Sequence, residues 1–150
     1  MRLSILQLNI NADNYWDNVV SLINSSDFDI LQLQEVCGKD SASANISCKR
    51  DCYEDLKNIL ENKYNSEIAI SQRYSSSYTS FLANATFYKN NFKLVEKNIV
   101  TLHKRDLPFP SDSRNFEDVG RNLLHLKIQI EDKTISFLNT HLAWAKTTAE

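Results

Sequence analysis

An α/β fold built on a mixed sheet is the architecture this sequence predicts, and three observations carry the prediction. A strand, a helix and a second strand are legible between Leu3 and Val36. That unit joins parallel neighbours through a right-handed crossover. A second amphipathic pattern begins at Asp51, and the regular segments after residue 66 read as extended.

The elements follow in order. Leu3 to Ile10 is short and apolar with isolated polar residues, the pattern of a strand buried on both faces. Asp13-Asn14 supplies capping chemistry for a helix carrying Tyr15, Trp16, Val19, Val20 and Ile23, with Trp16 in its core-facing row. Ser25-Ser26-Asp27 ends that helix, and Asp29 to Val36 is a second buried strand. Residues 37–51 are small, polar and irregular, a long surface loop. Asp51 with Glu54 resembles a capping box, opening a helix with Tyr53, Leu56, Ile59 and Leu60. Extended segments cover 67–74, 83–90 and 92–102, with a turn at Asn90-Asn91. Both prolines fall in a charged loop over 103–119. Arg121–Ile130 and Thr134–Leu142 alternate and are joined at Glu131-Asp132-Lys133, a β-hairpin.

The 150 residues are enough for one domain with its own core. With 42% hydrophobic and 24% charged residues, two glycines and two prolines, the composition is that of a globular chain rather than a disordered or collagen-like one. A net charge of −2 lacks the basic surplus common in nucleic-acid binders, although a catalytic groove can be locally basic. The first ten residues are too polar for a signal peptide, and the apolar runs are too short to span a bilayer, so a cytoplasmic location is expected. In that setting the sequons at Asn24, Asn45 and Asn84 read as chance, and Cys37, Cys48 and Cys52 as free thiols. Three zinc ligands or a disulfide within that loop are the alternatives.

The chemistry gathers at strand ends. Asn9 closes the first strand, Gln34-Glu35 the second and Asn139-x-His141 the last. In open α/β sheets, ligands sit outside the carboxyl ends of the parallel strands. A carboxamide, a carboxylate and an imidazole meeting there make a hard-oxygen metal site with a phosphate-contacting neighbour. Taken singly, each residue has a plainer reading. Glu35 reads as a solvated carboxylate, Asn9 as a turn cap, Arg121 as a partner of Asp118 and His141 as a structural histidine. His125, on the polar face with Lys127 and Gln129, and His103, in the charged loop, read as solvated. Tyr78 and Trp144 read as packing residues, with stacking on a base or sugar as the second option.

Joint order changes the weight. Leu6-Gln7-Leu8-Asn9-Ile10, then Asp29 to Val36, then Gly120-Arg121-Asn122-Leu123-Leu124, then Phe137-Leu138-Asn139-Thr140-His141-Leu142 resembles the opening motifs of the endonuclease/exonuclease/phosphatase superfamily, the pancreatic-deoxyribonuclease-like fold. The Gln-Glu and Asn-Thr-His-Leu segments are the most diagnostic of the four. The resemblance implies part of a four-layer α/β sandwich, two mixed β-sheets flanked by helices, with residues 1–150 as the N-terminal portion and the second half missing. It implies a phosphoesterase dependent on magnesium, with manganese as a substitute, acting on a phosphate-ester substrate, either nucleic acid or a phosphorylated small molecule or lipid. Glu35 matches the metal-binding glutamate and Asn9 the asparagine beside it. His141 matches the residue that contacts the scissile phosphate, and Arg121 an arginine facing substrate phosphates, for which a guanidinium suits. Gln34 is expected to support them by hydrogen bonding. The family's later Gly-Asp-x-Asn and Ser-Asp-His segments are absent, so an inactive fragment of a phosphoesterase is expected. A binding or scaffold module that kept half of the fold is the alternative.

Overall fold

Strands β1 (Ile5–Asn9) and β2 (Ile30–Lys39) run parallel in the computed structural model, with Ile5 opposite Ile30 and Asn9 opposite Gln34. Residues 2–39, 50–73, 80–104 and 120–142 are described by the structure. The crossover between the two strands is helix α1 (Trp16–Asn24), which buries Trp16, Val19 and Ile23 on one face. Each such side chain contributes roughly 1.5–3 kcal/mol by leaving water. Helix α2 (Cys52–Ile59) packs beside it through Cys52 and Leu56, and its start is capped as expected: the Asp51 side chain accepts the Glu54 N–H at 3.1 Å.

Two sheets follow. The first has the order β1-β2-β4-β3, with β3 (Tyr64–Arg73) and β4 (Ser80–Lys89) antiparallel to each other and β4 antiparallel to β2. The second joins β5 (Lys93–His103), β6 (Arg121–Ile130) and β7 (Lys133–Thr140) in that order. Leu31, Leu33 and Val36 of β2, with Ala85 and Phe87 of β4, meet the two helices on one side of the first sheet. On its other side Ile30, Ala69 and Tyr88 meet Leu124, Leu126, Ile128 and Phe137 of the second sheet. The described residues thus make three layers: helices, mixed sheet, antiparallel sheet.

Several expectations need correction. Only one sheet is mixed; among the described residues the second is antiparallel throughout, because each strand there reverses on its neighbour. Helix α1 begins at Trp16 with Tyr15 before it and no side-chain cap, so Asp13-Asn14 does not cap it. Asn11 and Ala12 instead take left-handed backbone conformations, and the Asn14 N–H donates to the Asn11 carbonyl. Strand β2 continues to Lys39, past the expected loop start at residue 37, because Cys37 and Gly38 pair with Leu82 and Phe81 of β4. The Phe81 ring lies where a side chain on Gly38 would be, so that position admits little but glycine. His103 belongs to β5, where it is exposed and opposite Arg121, rather than to a loop.

Candidate active site

The parallel pairing of β1 and β2 sets the carboxyl end of β1 beside the middle of β2, at Gln34-Glu35, because β2 does not end there as expected. The chain beyond Asn9 is stitched to β2. The N–H groups of Ile10 and Ala12 donate to the carbonyls of Gln34 and Glu35 at 3.1 and 3.2 Å. Asn9 turns its own amide oxygen back to accept the Asn11 N–H at 2.8 Å, which leaves its Nδ2 facing His141 Nε2 at 3.5 Å.

Glu35 sits in a β-bulge. Leu33 pairs with Ala85 and Val36 with Ala83, so Gln34 and Glu35 together oppose Asn84. Its φ is 54°, a left-handed conformation that costs a non-glycine residue on the order of 1 kcal/mol. Such strain persists only where the surroundings impose it. Here it accompanies a carboxylate whose Oε1 is 3.4 Å from His141 Nδ1.

Arg121 and His141 arrive from the second sheet. Gly120 abuts the Ser71 carbonyl so closely that a Cβ would collide with it, and its N–H donates to Gln72 Oε1 at 2.9 Å. That approach seats the start of β6 against β3 and leaves Arg121 only 8% exposed. The Arg121 Nη1 atom is 3.2 Å from His141 Nδ1, just beyond the end of β7. Burial lowers the His141 pKa from its ordinary value, Glu35 opposes that shift, and the Arg121 charge adds to it. Burial also lowers the Arg121 pKa, again against Glu35, but a guanidinium remains protonated.

Beneath this cluster lie buried amides. Gln34 donates to Asn139 Oδ1 at 2.7 Å, so its partner is an amide below the four site residues rather than one of them. Asn139 Nδ2 donates to the carbonyls of Leu33 at 3.2 Å and Ala85 at 2.8 Å. A second group joins Asn84, Ser71 and Thr140 to Asn122. Sequence reading noted Asn139 as a polar strand end and a member of the Asn-Thr-His-Leu segment, without a role of its own, and Asn84 only as a sequon. The available signal was an asparagine inside an apolar strand, where it is disfavoured unless its hydrogen bonds are met. Asn84 is 1% exposed, which closes that sequon to a glycan.

The donor set offers hard oxygen: the Glu35 carboxylate, partly exposed, and the Asn9 amide oxygen, whose two lone pairs exceed the single N–H it accepts. Magnesium needs one or two carboxylates and fills its shell with water and substrate phosphate, so these residues fit it. The described residues contain no group of three or more His, Cys, Asp or Glu side chains able to hold a metal by themselves. Cys37 and Cys52 are buried with their sulfurs 3.3 Å apart, and Cys52 donates to the Ala12 carbonyl. Cys48 lies outside the described residues, as do Tyr78, Trp144 and Asp118. His125 meets Ser136 at 3.2 Å on an exposed face, away from the cluster.

No family model matches the sequence, and no curated protein does. Solved structures do match the fold. An endonuclease/exonuclease/phosphatase family protein from Leptotrichia buccalis superposes with a TM-score of 0.67 at 15% identity, over 94% of this chain and 54% of that one. The human Nocturnin catalytic domain with bound sulfate gives 0.58 at 19% identity, over 97% and 51%. The mannosyl-6-phosphatase of Bacteroides thetaiotaomicron gives 0.58 at 18%, over 95% and 52%. The chain has the fold of these proteins and spans about half the length of each. No helix among the described residues is long and apolar enough to cross a membrane.

Proposed function

We propose that this chain is the N-terminal portion of a divalent-metal-dependent phosphoesterase of the endonuclease/exonuclease/phosphatase kind, hydrolysing a phosphodiester or phosphomonoester. The observation that carries the proposal is the meeting of Asn9, Glu35 and Arg121, from three strands of two sheets, with His141 just beyond a fourth, the contacts to its ring being 3.2–3.5 Å. The fold likeness supports it, since one of the similar proteins is named a phosphatase and another holds a sulfate, a tetrahedral anion.

In this reading Glu35 and Asn9 hold magnesium, or manganese in its place. The metal, when bound, polarises a phosphoryl oxygen and stabilises charge on the leaving oxygen. Arg121 offers planar N–H donors to the phosphate, and its seat between the sheets fixes their direction. His141 adds an N–H donor at the scissile phosphate. The water that attacks must be oriented by groups outside this set, because all four residues are committed to metal and phosphate.

The proposal is tested by reading the coding sequence past codon 150. A Gly-Asp-x-Asn segment followed by Ser-Asp-His is expected, and in that longer product Glu35→Gln should abolish magnesium-dependent hydrolysis. A second reading, a non-catalytic binding or scaffold module, is favoured by one observation: the matched length is only about half of each similar structure. A stop codon in place of those motifs would select it.

A further inference from the structure

We propose that Asn139 is a positioning residue: its buried amide holds the β2 bulge that turns the Glu35 carboxylate toward His141. The geometry starts from the alternation of β2. Ile30 faces the second sheet, while Leu31 and Leu33 face the helices. A strand alternates with period two, so residue 35 would join Leu31 and Leu33 on the helix face. It does not. The bulge gives that apolar position to Val36, and Glu35 is carried out of it.

Asn139 grips the bulge on three sides. Its Nδ2 reaches the carbonyls of Leu33 and Ala85, the last pair in register before the shift, and its Oδ1 accepts from Gln34, the first bulge residue. The side chain comes from the other sheet and is 1% exposed, so water cannot replace it in these bonds. His141 lies two residues further along the same segment. One asparagine therefore ties the residue that carries the imidazole to the backbone that aims the carboxylate. Core packing is the competing cause: Val36 alone, by demanding its apolar site, would also favour the bulge.

The two causes separate in solution NMR of the 150-residue chain. Wild type should show a left-handed backbone signature at Glu35 and cross-strand contacts between Val36 and Ala83. Asn139→Ser removes the grip; the left-handed signature is expected to disappear and Glu35 to move opposite Ala83. Tyr64→Phe deletes a hydrogen bond to the Phe28 carbonyl that is remote from the bulge, and should leave both signals in place. Unchanged signals in a folded Asn139→Ser chain would overturn the proposal. If that variant does not fold, Gln34→Met, which keeps volume and loses one bond of the grip, decides. Exchange broadening at Glu35 and Val36 is expected, and sharp wild-type signals there would overturn the proposal.

The functional consequence rests on the metal site proposed above. Manganese affinity of Asn139→Ser should fall at least tenfold, to that of Glu35→Gln, whereas an asparagine serving only stability leaves the affinity of the folded chain unchanged. If wild type binds manganese no better than Glu35→Gln, the metal reading fails, and the register measurement still decides the role of Asn139.

Discussion

Glu35 combines strain with chemistry, and the two separate by substitution. Glu35→Gln and Glu35→Gly both remove the charge, but only glycine tolerates φ near 54° without cost. The glycine variant should be more stable than the glutamine variant by about 1 kcal/mol in a denaturant titration. Equal midpoints would mean that the left-handed conformation carries no strain. At this scale the sequence was informative about chemical identity and silent about conformation. Asn9, Glu35, Arg121 and His141 are recognisable by type and order. The bulge that aims Glu35 is not, because it depends on Asn139, more than a hundred positions away in the chain. A polar side chain inside a strand signals only that its partners exist.

Between elements, Asp29 ties three strands together where β1 and β2 begin. Its Oδ2 accepts the Ser4 N–H at 2.8 Å, its carboxylate pairs with Lys89 at 2.9 Å, and its carbonyl accepts the Lys89 N–H at 3.1 Å. Burial alone would raise the Asp29 pKa, but the Ser4 and Lys89 interactions together outweigh it and lower it. A carboxylate with a lowered folded-state pKa stabilises the fold above its ordinary pKa, near 3.9, and the contribution is lost as pH falls through the folded value. Asp29→Asn should therefore cost about 1–2 kcal/mol at neutral pH, the pair being partly open to solvent. It should also flatten the loss of stability below about pH 4. A variant with the wild-type acid limb would contradict this. Element types and the α2 cap were legible because periodicity and capping are local. The true ends of β2 and β5 were not: Cys37-Gly38 is drawn into the sheet by β4, and His103 by the pairing of β5 with Arg121.

Over the whole molecule, the second sheet presents Leu138 and Val100, 55% and 47% exposed, on the face away from the first sheet. Val100 lies opposite Leu123, and Leu138 opposite His125. Exposed aliphatic side chains on an open sheet, even among polar neighbours such as His125, favour association. Sedimentation should show concentration-dependent self-association of the 150-residue chain, and Val100→Lys with Leu138→Lys should suppress it without lowering the thermal midpoint. A wild-type chain that stays monomeric at high concentration would contradict this. The α/β class was legible at this scale because order and period are local properties. The assignment of β5–β7 to a separate antiparallel sheet was not, since it depends on contacts far apart in sequence. Asn9 and Glu35 hold one divalent metal beside His141 in the proposed site, and manganese titration of the chain followed by NMR tests this most directly. Paramagnetic broadening should fall first on the Asn9 side-chain amide and the His141 ring, and should vanish in Glu35→Gln. Broadening spread over surface carboxylates, or unchanged in Glu35→Gln, would contradict the account.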